Sequence, residues 1–225
     1  MICATSPIAT VPHPQVWLPR LHAVVVGPGL GRNQSTLGRA SLVLEKAKLL
    51  DIPIVVDADA LWQVNSNPAL VQGYTRAVLT PNAMEFSRLV KAVLRREEAP
   101  SGEPEPALVA EVAAALGHVT ILHKGLRDVI SDGRDTVVCS AAGSPRRCGG
   151  QGDLLAGVLA TFLHWALTLS SPPASPVLAA WAAARLARGC GEAAFGQAGR
   201  AATTSDMVAN IHAVFNRLYE GETSL

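Results

Sequence analysis

The amino-acid sequence predicts an α/β fold in which a mostly parallel sheet has helices on both faces. Four short apolar runs, rich in β-branched residues and without polar alternation, are typical of parallel strands buried on both sides. They span residues 22–27, 52–57, 76–80 and 119–124, and helical patterns separate them. The chain has 225 residues, of which 49% are hydrophobic, so it is long enough to bury a sizeable core.

The other elements follow in chain order. Helical patterns lie near residues 34–50, 82–97, 107–116, 151–168, 176–196 and 204–220. The segment 128–139 predicts a β-hairpin instead, because Asp132 and Gly133 form a strong two-residue turn signal between apolar runs. The sequence contains no internal repeat, and we predict a single domain over residues 1–225.

Composition narrows the function classes. A formal net charge of +1 gives no reason to expect nucleic acid or an anionic membrane as a partner. The four cysteines form neither a CxxC pair nor a His/Cys cluster with metal spacing, which indicates free thiols in a reducing compartment and argues against zinc. We find no signal-like segment at the amino terminus and no window that approaches the length of a bilayer span. We therefore expect a cytoplasmic protein; a mitochondrial form stays open, although the chain carries no targeting segment.

The most informative segment is a glycine-rich loop that leads into a long apolar helix. The glycines within 149–152 allow the backbone to approach a ligand closely, and the unpaired N–H groups of a first helical turn bind anions. Asp153 follows at once, so it is placed to accept a hydroxyl proton beside a bound phosphate. The alternative is that Asp153 only caps the helix. Arg146 and Arg147 favour the phosphate interpretation, since guanidinium groups suit phosphate geometry.

Polar or glycine-rich strings also follow each predicted strand, at the edge where ligands bind in open α/β sheets. The turn Gly27–Gly31 follows the first strand, Asp57 and Asp59 follow the second, Asn82 the third and Lys124 the fourth. Each string is ambiguous alone. The glycine turn is not a complete Rossmann fingerprint, and the aspartates can simply form turns. The sequence also contains no Walker A motif. Together with the glycine loop, they indicate one phosphoryl-transfer site.

Taken in order, these strings resemble a known family. GPGLG, PIVVDADAL, LTPNAMEFSRL, ILHKGLRDVI and CGGQGDLLAG are similar to the motifs of the ATP-dependent NAD(P)H-hydrate dehydratases of the ribokinase-like superfamily, over residues 16–220. The resemblance implies a three-layer ribokinase-like sandwich. It also implies a lyase that repairs the S-epimer of hydrated NADH or NADPH (NADHX or NADPHX). ATP phosphorylates the hydroxyl of the hydrate, and elimination of phosphate restores the dihydronicotinamide and leaves ADP and phosphate.

Two further implications concern the co-substrate and the metal. The family includes members with ADP as phosphate donor, and the string Arg146-Arg147-Cys148 before GGQGD is similar to the ATP-using eukaryotic type. The resemblance implies a Mg²⁺ ion that bridges the nucleotide phosphates, since phosphoryl transfer depends on positioning and charge neutralisation. It identifies no protein ligand, because Mg²⁺ in this fold class is held mostly by phosphates and water. The implied partners are small molecules, while the preference between NADHX and NADPHX and the oligomeric state stay open.

The family's site residues are carried over only onto matching positions of this sequence. The resemblance implies that Asp153 contacts the substrate and is the general base. The implied hydrated-dinucleotide site comprises Gly29, Asn82, Ala83, Met84, Glu85, Phe86, Ser87, Arg88 and Asp153. The implied ATP site comprises Lys124, Gly125, Leu126, Arg127, Asp128, Gly143, Ser144, Pro145, Arg146, Arg147, Cys148, Gly149, Gly150, Gln151 and Gly152. His123, beside Lys124, is interpreted as structural.

The sequence differs from the family pattern at its amino-terminal end. Family members open with a βα unit that carries its own glycine-rich segment, whereas this chain begins with MICATSPIATV, so we expect the first strand and helix to be absent. Their absence would expose apolar surface and remove a wall of the site. Three hypotheses therefore stay open: a working ATP-dependent dehydratase, a shortened non-catalytic nucleotide-binding form, or another ribokinase-like small-molecule kinase. LTPNAMEFSRL argues against the last, because it belongs to the dehydratase pattern.

Overall fold

The computed structural model describes residues 17–96 and 104–221. The start of the chain, to which the expectation of an absent βα unit refers, lies outside these residues. The strands are β1 (Val24–Val26), β2 (Ile54–Val56), β3 (Ala77–Leu79), β4 (Thr120–His123), β5 (Asp128–Ser131) and β6 (Thr136–Cys139). They form one six-stranded sheet in this order. β1 to β4 are parallel, while β5 is antiparallel to both β4 and β6, which confirms the predicted parallel strands and the hairpin.

Eight α-helices surround this sheet in the described part of the chain. They are α1 (Gln34–Leu49), α2 (Asp59–Ser66), α3 (Ala83–Leu94), α4 (Pro106–Ala115), α5 (Gln151–His164), α6 (Pro176–Ala198), α7 (Thr204–Ala209) and α8 (Ile211–Phe215). The connections between β1 and β4 each contain at least one helix, as parallel neighbours require.

Two apolar layers cover the two faces of the sheet. Ile54, Val56 and Leu79 pack on one face against α1 to α4, whereas Val55 and Val78 pack on the other face against α5 and α6. All five are at most 1% exposed, so the central strands are buried on both sides. This is the three-layer α/β sandwich that the uninterrupted apolar runs predict.

The helix assignments from sequence need three corrections. The short helix α2 was not predicted, although it begins at Asp59, soon after β2, and Ala60, Leu61 and Val64 give it a buried stripe. The predicted helix 204–220 is interrupted at Asn210, which ends α7 and precedes α8. The predicted helix 82–97 begins after its cap and ends at Leu94, while residue 97 lies outside the described residues.

The helical segment Gln151–Leu169 is long and apolar enough to cross a membrane by length and composition. This corrects the expectation that no window approaches the length of a bilayer span. A single segment of this kind is weak support for a membrane span, because core helices of soluble proteins share its composition. Here α5 packs on β1, β2 and α6, with Ala156, Leu159 and Leu163 in the core.

Both tyrosines contribute stability that depends on pH. Burial raises the pKa of Tyr74 and of Tyr219 to about 12, and the charge of Asp51 adds to the effect on Tyr74. Each phenol donates a hydrogen bond of 2.7 Å to a backbone carbonyl, that of Ile52 or Ala182. The folded state thus favours the neutral phenol, so this stability is fully present below the ordinary pKa of 10.0 and is lost as pH rises towards 12.

We therefore expect the free energy of unfolding to decrease between pH 10 and pH 12. Urea unfolding at a series of pH values measures this decrease. The Tyr74→Phe, Tyr219→Phe double variant should show a shallower dependence in this window, because it has no phenol to ionise. If the free energy of unfolding depended equally on pH in both proteins, the assignment of this effect to the two tyrosines would be contradicted.

Candidate active site

The loops that the sequence singles out leave the sheet at one edge. β1 to β4 are parallel, so their carboxyl ends share this edge, and β6 ends there too because Cys139 pairs with Asp128 at the start of β5. Beyond the ends of β3 and β4, Asn82 and Lys124 form an isolated parallel bridge. The structure thus brings the glycine turn, the two aspartates, Asn82, Lys124 and the glycine loop to the same edge.

A partly buried ion pair occupies the centre of this edge. Asp57 is 2% exposed, and its Oδ1 accepts hydrogen bonds from Lys124 Nζ at 2.7 Å and from the Thr80 hydroxyl at 2.8 Å. A Cβ on Gly152 would lie 3.5 Å from Asp57 Oδ2 and 3.7 Å from Lys124 Nζ, so the start of α5 meets the pair directly. Asp57 therefore has a hydrogen-bonding role and does not simply form a turn.

The glycine loop ends in a left-handed residue that begins α5. Gly150 is the N-cap, with φ +87°, and a Cβ there would lie 3.3 Å from the Thr204 methyl. The Thr204 hydroxyl also donates to the carbonyl of Gly149. The first N–H groups from Gln151 onward have no acceptor within the helix and carry its partial positive charge. Thr204, which the sequence analysis missed, thus supports a loop whose backbone donors suit an anion.

Asp153 lies in the first turn of α5 and is exposed. Gly150 occupies the cap position, so the alternative in which Asp153 only caps the helix is wrong. An exposed carboxylate beside this anion-binding turn is accessible to a substrate hydroxyl. Its role as general base stays a prediction.

An open cleft of about 360 Å³ lies beside the glycine loop, within the size range of small-molecule sites. Ten residues named from the sequence line it: Asn82, Lys124, Gly125, Asp128, Gly143, Ser144, Arg147, Cys148, Gln151 and Gly152. The rest of the lining comes from α5, α6 and α7, namely Leu155, Ala184, Ala187, Arg188, Gly191 and Met207. These last residues were missed, because nothing local in an apolar helix indicates which side faces a cleft.

Arg188 of α6 forms hydrogen bonds that stabilise the turn after β4. Its Nε and Nη2 atoms donate to the two carboxylate oxygens of Asp128 at 2.6 and 2.8 Å, and Nη2 also donates to the carbonyl of Gly125 at 3.0 Å. Nη1 donates to the carbonyl of Ala141, at the start of the loop that follows β6. The Arg188–Asp128 pair therefore joins the two loops of the cleft. Asp128 has this positioning role in addition to lining the cleft.

Several residues of the implied ATP site lie away from the cleft lining. Arg127 lines a separate small cavity with His123, and Leu126 is 78% exposed. Arg147 is exposed and lines the cleft, whereas Arg146 is half-buried. His123 is 1% exposed and packs edge-on against Phe86, in agreement with its structural interpretation. Contact with ATP stays a prediction for every member of the implied site.

A hydrogen bond joins the glycine turn after β1 to Asp59, which follows β2. The Gly31 N–H donates to Asp59 Oδ2 at 2.8 Å. Gly27 has φ +134°, and a Cβ on it would lie only 1.6 Å from the carbonyl oxygen of Asp57. A Cβ on Gly29, by contrast, would meet no atom of the described chain within 4 Å. The turn is therefore held by Asp59, lies close against the backbone of Asp57 and leaves space at Gly29, the implied substrate residue.

The implied substrate run Asn82–Arg88 covers the start of α3. Asn82 caps this helix: its side chain accepts from the Glu85 N–H, and the Glu85 carboxylate accepts from the Asn82 N–H at 2.8 Å. Met84 is 65% exposed at the edge, whereas Phe86 is 3% exposed within the core. The Phe86 side chain therefore packs in the core rather than towards the edge, because the helical period turns it inward.

No group of three or more His, Cys, Asp or Glu side chains could hold a metal ion in the described ranges. Burial raises the pKa of the Cys139 thiol, and raises that of Cys190 to about 11, so both stay protonated at neutral pH. A Mg²⁺ ion on the nucleotide phosphates stays a prediction.

Known proteins resemble this chain in both sequence and fold. A family model described as NAD(P)H-hydrate dehydratase matches residues 7–213. A relative from Pongo abelii, named ATP-dependent (S)-NAD(P)H-hydrate dehydratase, is 52% identical over 91% of this chain and 63% of its own length. A relative of the same name from Homo sapiens is 51% identical over 91% of this chain and 59% of its own length. The chain therefore spans about three fifths of the length of these curated relatives.

The solved structures concern the fold alone. A ribokinase-like superfamily protein from Enterococcus faecalis has a TM-score of 0.67 at 20% identity, covering 89% of this chain and 64% of its own. This similarity confirms the ribokinase-like sandwich that the ordered motifs imply.

Proposed function

Because the chain belongs to the NAD(P)H-hydrate dehydratase family, we propose that it dehydrates the S-epimer of NADHX and NADPHX at the expense of ATP. One observation carries this proposal. The Asp57–Lys124 pair and Gly152 meet at the sheet edge, with the cleft on the β4 side and the glycine turn on the β1 side. A phosphate donor bound in the cleft and a substrate hydroxyl bound over the glycine turn would meet at the start of α5.

We assign the two sides of the edge to the two substrates. ATP occupies the cleft, whose wall of Ala184, Ala187 and Gly191 is small and apolar and suits a flat base. Its phosphates lie towards the first turn of α5, where backbone N–H groups and Arg147 supply positive charge. The hydrated nicotinamide lies over Gly29 and the start of α3. The residues on the two sides of the edge thus hold both substrates in place, which lowers the entropic barrier of an otherwise bimolecular step.

The first step, phosphoryl transfer, needs a proton acceptor. Asp153 takes the proton of the substrate hydroxyl while the hydroxyl oxygen attacks the terminal phosphorus of ATP. The bond from phosphorus to the bridging oxygen breaks, and ADP leaves. In the second step the C–O bond breaks, the departing phosphate takes up the proton that the neighbouring carbon loses, and the new C=C bond restores the dihydronicotinamide with release of hydrogen phosphate. We propose Mg²⁺ on the nucleotide phosphates, where it would neutralise charge while bound mainly by phosphate and water.

Recovery of NADH absorbance from NADHX tests the function. The purified chain should restore NADH with ATP and Mg²⁺ and should do nothing without a phosphate donor. Replacement of ATP by ADP tests the donor. Binding of ATP without recovery of NADH would favour the shortened, non-catalytic form, and phosphorylation of a vitamin precursor would favour another small-molecule kinase. We also propose that the protein works in the cytoplasm, which stays a prediction.

Neutralising Arg147 should weaken ATP binding. Arg147 is exposed on the cleft, so Arg147→Gln removes a charge-assisted contact and should cost about 1–3 kcal/mol of ATP affinity, measured by calorimetry. Arg134→Gln is the matched control, because it makes the same charge change in the hairpin turn at the opposite edge of the sheet. Lys124 is less suitable, since its removal would leave Asp57 charged and buried. Equal ATP affinity in both variants would exclude a phosphate contact by Arg147.

A further inference from the structure

An exposed tryptophan links the two segments assigned to the hydrated dinucleotide. Trp62 on α2 is 40% exposed. The Arg32 Cζ lies 4.9 Å from the centre of its ring, and the Arg88 Cζ lies 5.5 Å from it. Arg32 directly follows the glycine turn, and Arg88 ends the run Asn82–Arg88. Two segments that are far apart in sequence therefore share one aromatic partner.

The same helix also holds the glycine turn through a second residue. Asp59 accepts from the Gly31 N–H at 2.8 Å and from Arg32 Nε at 3.4 Å. Asp59 and Trp62 are three residues apart, so they lie on neighbouring positions of one face of α2. Through these two side chains, α2 sets the spacing between the turn after β1 and the helix after β3.

The arginines carry more positive charge than their surroundings neutralise. Within residues 17–96 and 104–221, Arg88 forms no ion pair and no hydrogen bond from its guanidinium group, only the contact with Trp62. Arg32 has a 59% exposed side chain and one long contact to Asp59, whose other oxygen is already bonded to Gly31. A guanidinium group stacked on an indole keeps the N–H groups along its edge available for a phosphate. Two guanidinium groups near one ring repel each other, and an anion bound between them would remove this repulsion.

We propose that Arg32 and Arg88, held on Trp62, bind a phosphate group of the hydrated dinucleotide. The proposal rests on the function proposed above and adds a phosphate subsite to it. That substrate offers phosphate in two places, the pyrophosphate common to NADHX and NADPHX and the additional ribose phosphate of NADPHX. Trp62 is a positioning residue, because it touches the guanidinium groups and orders them before the ligand arrives, which reduces the entropy cost of binding.

Dinucleotide affinity in five variants tests the subsite. NADH and NADPH serve as probes in calorimetry, and ATP affinity is measured alongside. Arg32→Gln and Arg88→Gln should each weaken dinucleotide binding by about tenfold to a hundredfold, the usual effect of losing a hydrogen bond to a charged group, with ATP affinity unchanged. Trp62→Leu should lose a similar factor and Trp62→Phe should recover part of it, because an aromatic face still receives the cations. Lys91→Gln, the same charge change at an exposed site on α3, should bind like the unaltered chain.

The pattern of losses identifies the phosphate. A loss for NADPH alone assigns the ribose phosphate, and an equal loss for NADH and NADPH assigns the pyrophosphate. Unchanged affinity in Arg32→Gln and Arg88→Gln overturns the subsite, even where the unaltered chain turns over NADHX. Arginine-dependent binding without any turnover would leave the subsite standing and overturn the proposed function instead. Absence of dinucleotide binding by the unaltered chain overturns both.

Discussion

Asp153→Asn should fold normally and lose between about two and four orders of magnitude of turnover, the range usual for removal of a positioned general base. Asparagine has nearly the same shape but cannot accept the hydroxyl proton as a carboxylate does. The stability change should be small, because Gly150 holds the cap position and Asp153 is exposed. The loss of its interaction with the helix dipole amounts to about 0.3–1 kcal/mol. NADH recovery, ATP affinity and the thermal midpoint together measure these effects.

Asp135→Asn is the control for this variant, since it removes an exposed carboxylate in the hairpin turn. It should retain full turnover. Near-normal dehydration by a well-folded Asp153→Asn protein would refute the assignment of the base. A decrease of the thermal midpoint together with activity would show instead that the fold itself requires the charge at the start of α5.

Gly27→Ala should destabilise the protein by more than about 3 kcal/mol, because overpacking and a strained backbone act at the same position. Gly27 has φ +134°, and the new Cβ would lie 1.6 Å from the carbonyl oxygen of Asp57. The backbone of one strand end must therefore move away from the other. Such a movement also displaces the Asp57 carboxylate from Lys124, so ATP-dependent turnover should decrease together with stability.

Gly29→Ala is the matched control for Gly27→Ala. Gly29 also has a positive φ, +66°, but a Cβ there meets no atom of the described residues within 4 Å. Its cost should stay near the 1–2 kcal/mol of a left-handed alanine, roughly the conformational penalty alone. Urea unfolding of the two variants measures the difference. Equal destabilisation would contradict the close approach of Gly27 to Asp57.

The sequence predicted the parts of this fold that depend on local patterns. The strands carry uninterrupted apolar runs because both faces are buried, and the turn signal at Asp132 and Gly133 lies in the loop 132–135 that joins β5 and β6. α2 was not predicted because it has only eight residues and starts soon after β2, with only Asp57 and Ala58 between them. The break at Asn210 was missed because the apolar pattern continues across it.

The candidate site divides in the same way. Glycines and charged residues at strand ends are visible in the sequence, and the structure brings Gly152, Asp57 and Lys124 together as expected of one edge. Arg188 and Thr204 could not be assigned, because only the packing of α6 and α7 brings them to loops far away in sequence. An arginine within an alanine-rich helix carries no local sign that it will meet a carboxylate sixty residues away.

The central claim is that phosphoryl transfer at the start of α5 couples ATP to dehydration. A single-turnover experiment tests it most directly, with the chain in excess over NADHX and with ADP and NADH measured in the same samples. The account predicts equal amounts of ADP and NADH, with ADP formed no later than NADH because phosphorylation precedes elimination. NADH formed without ADP, or ADP formed without NADH, would contradict it.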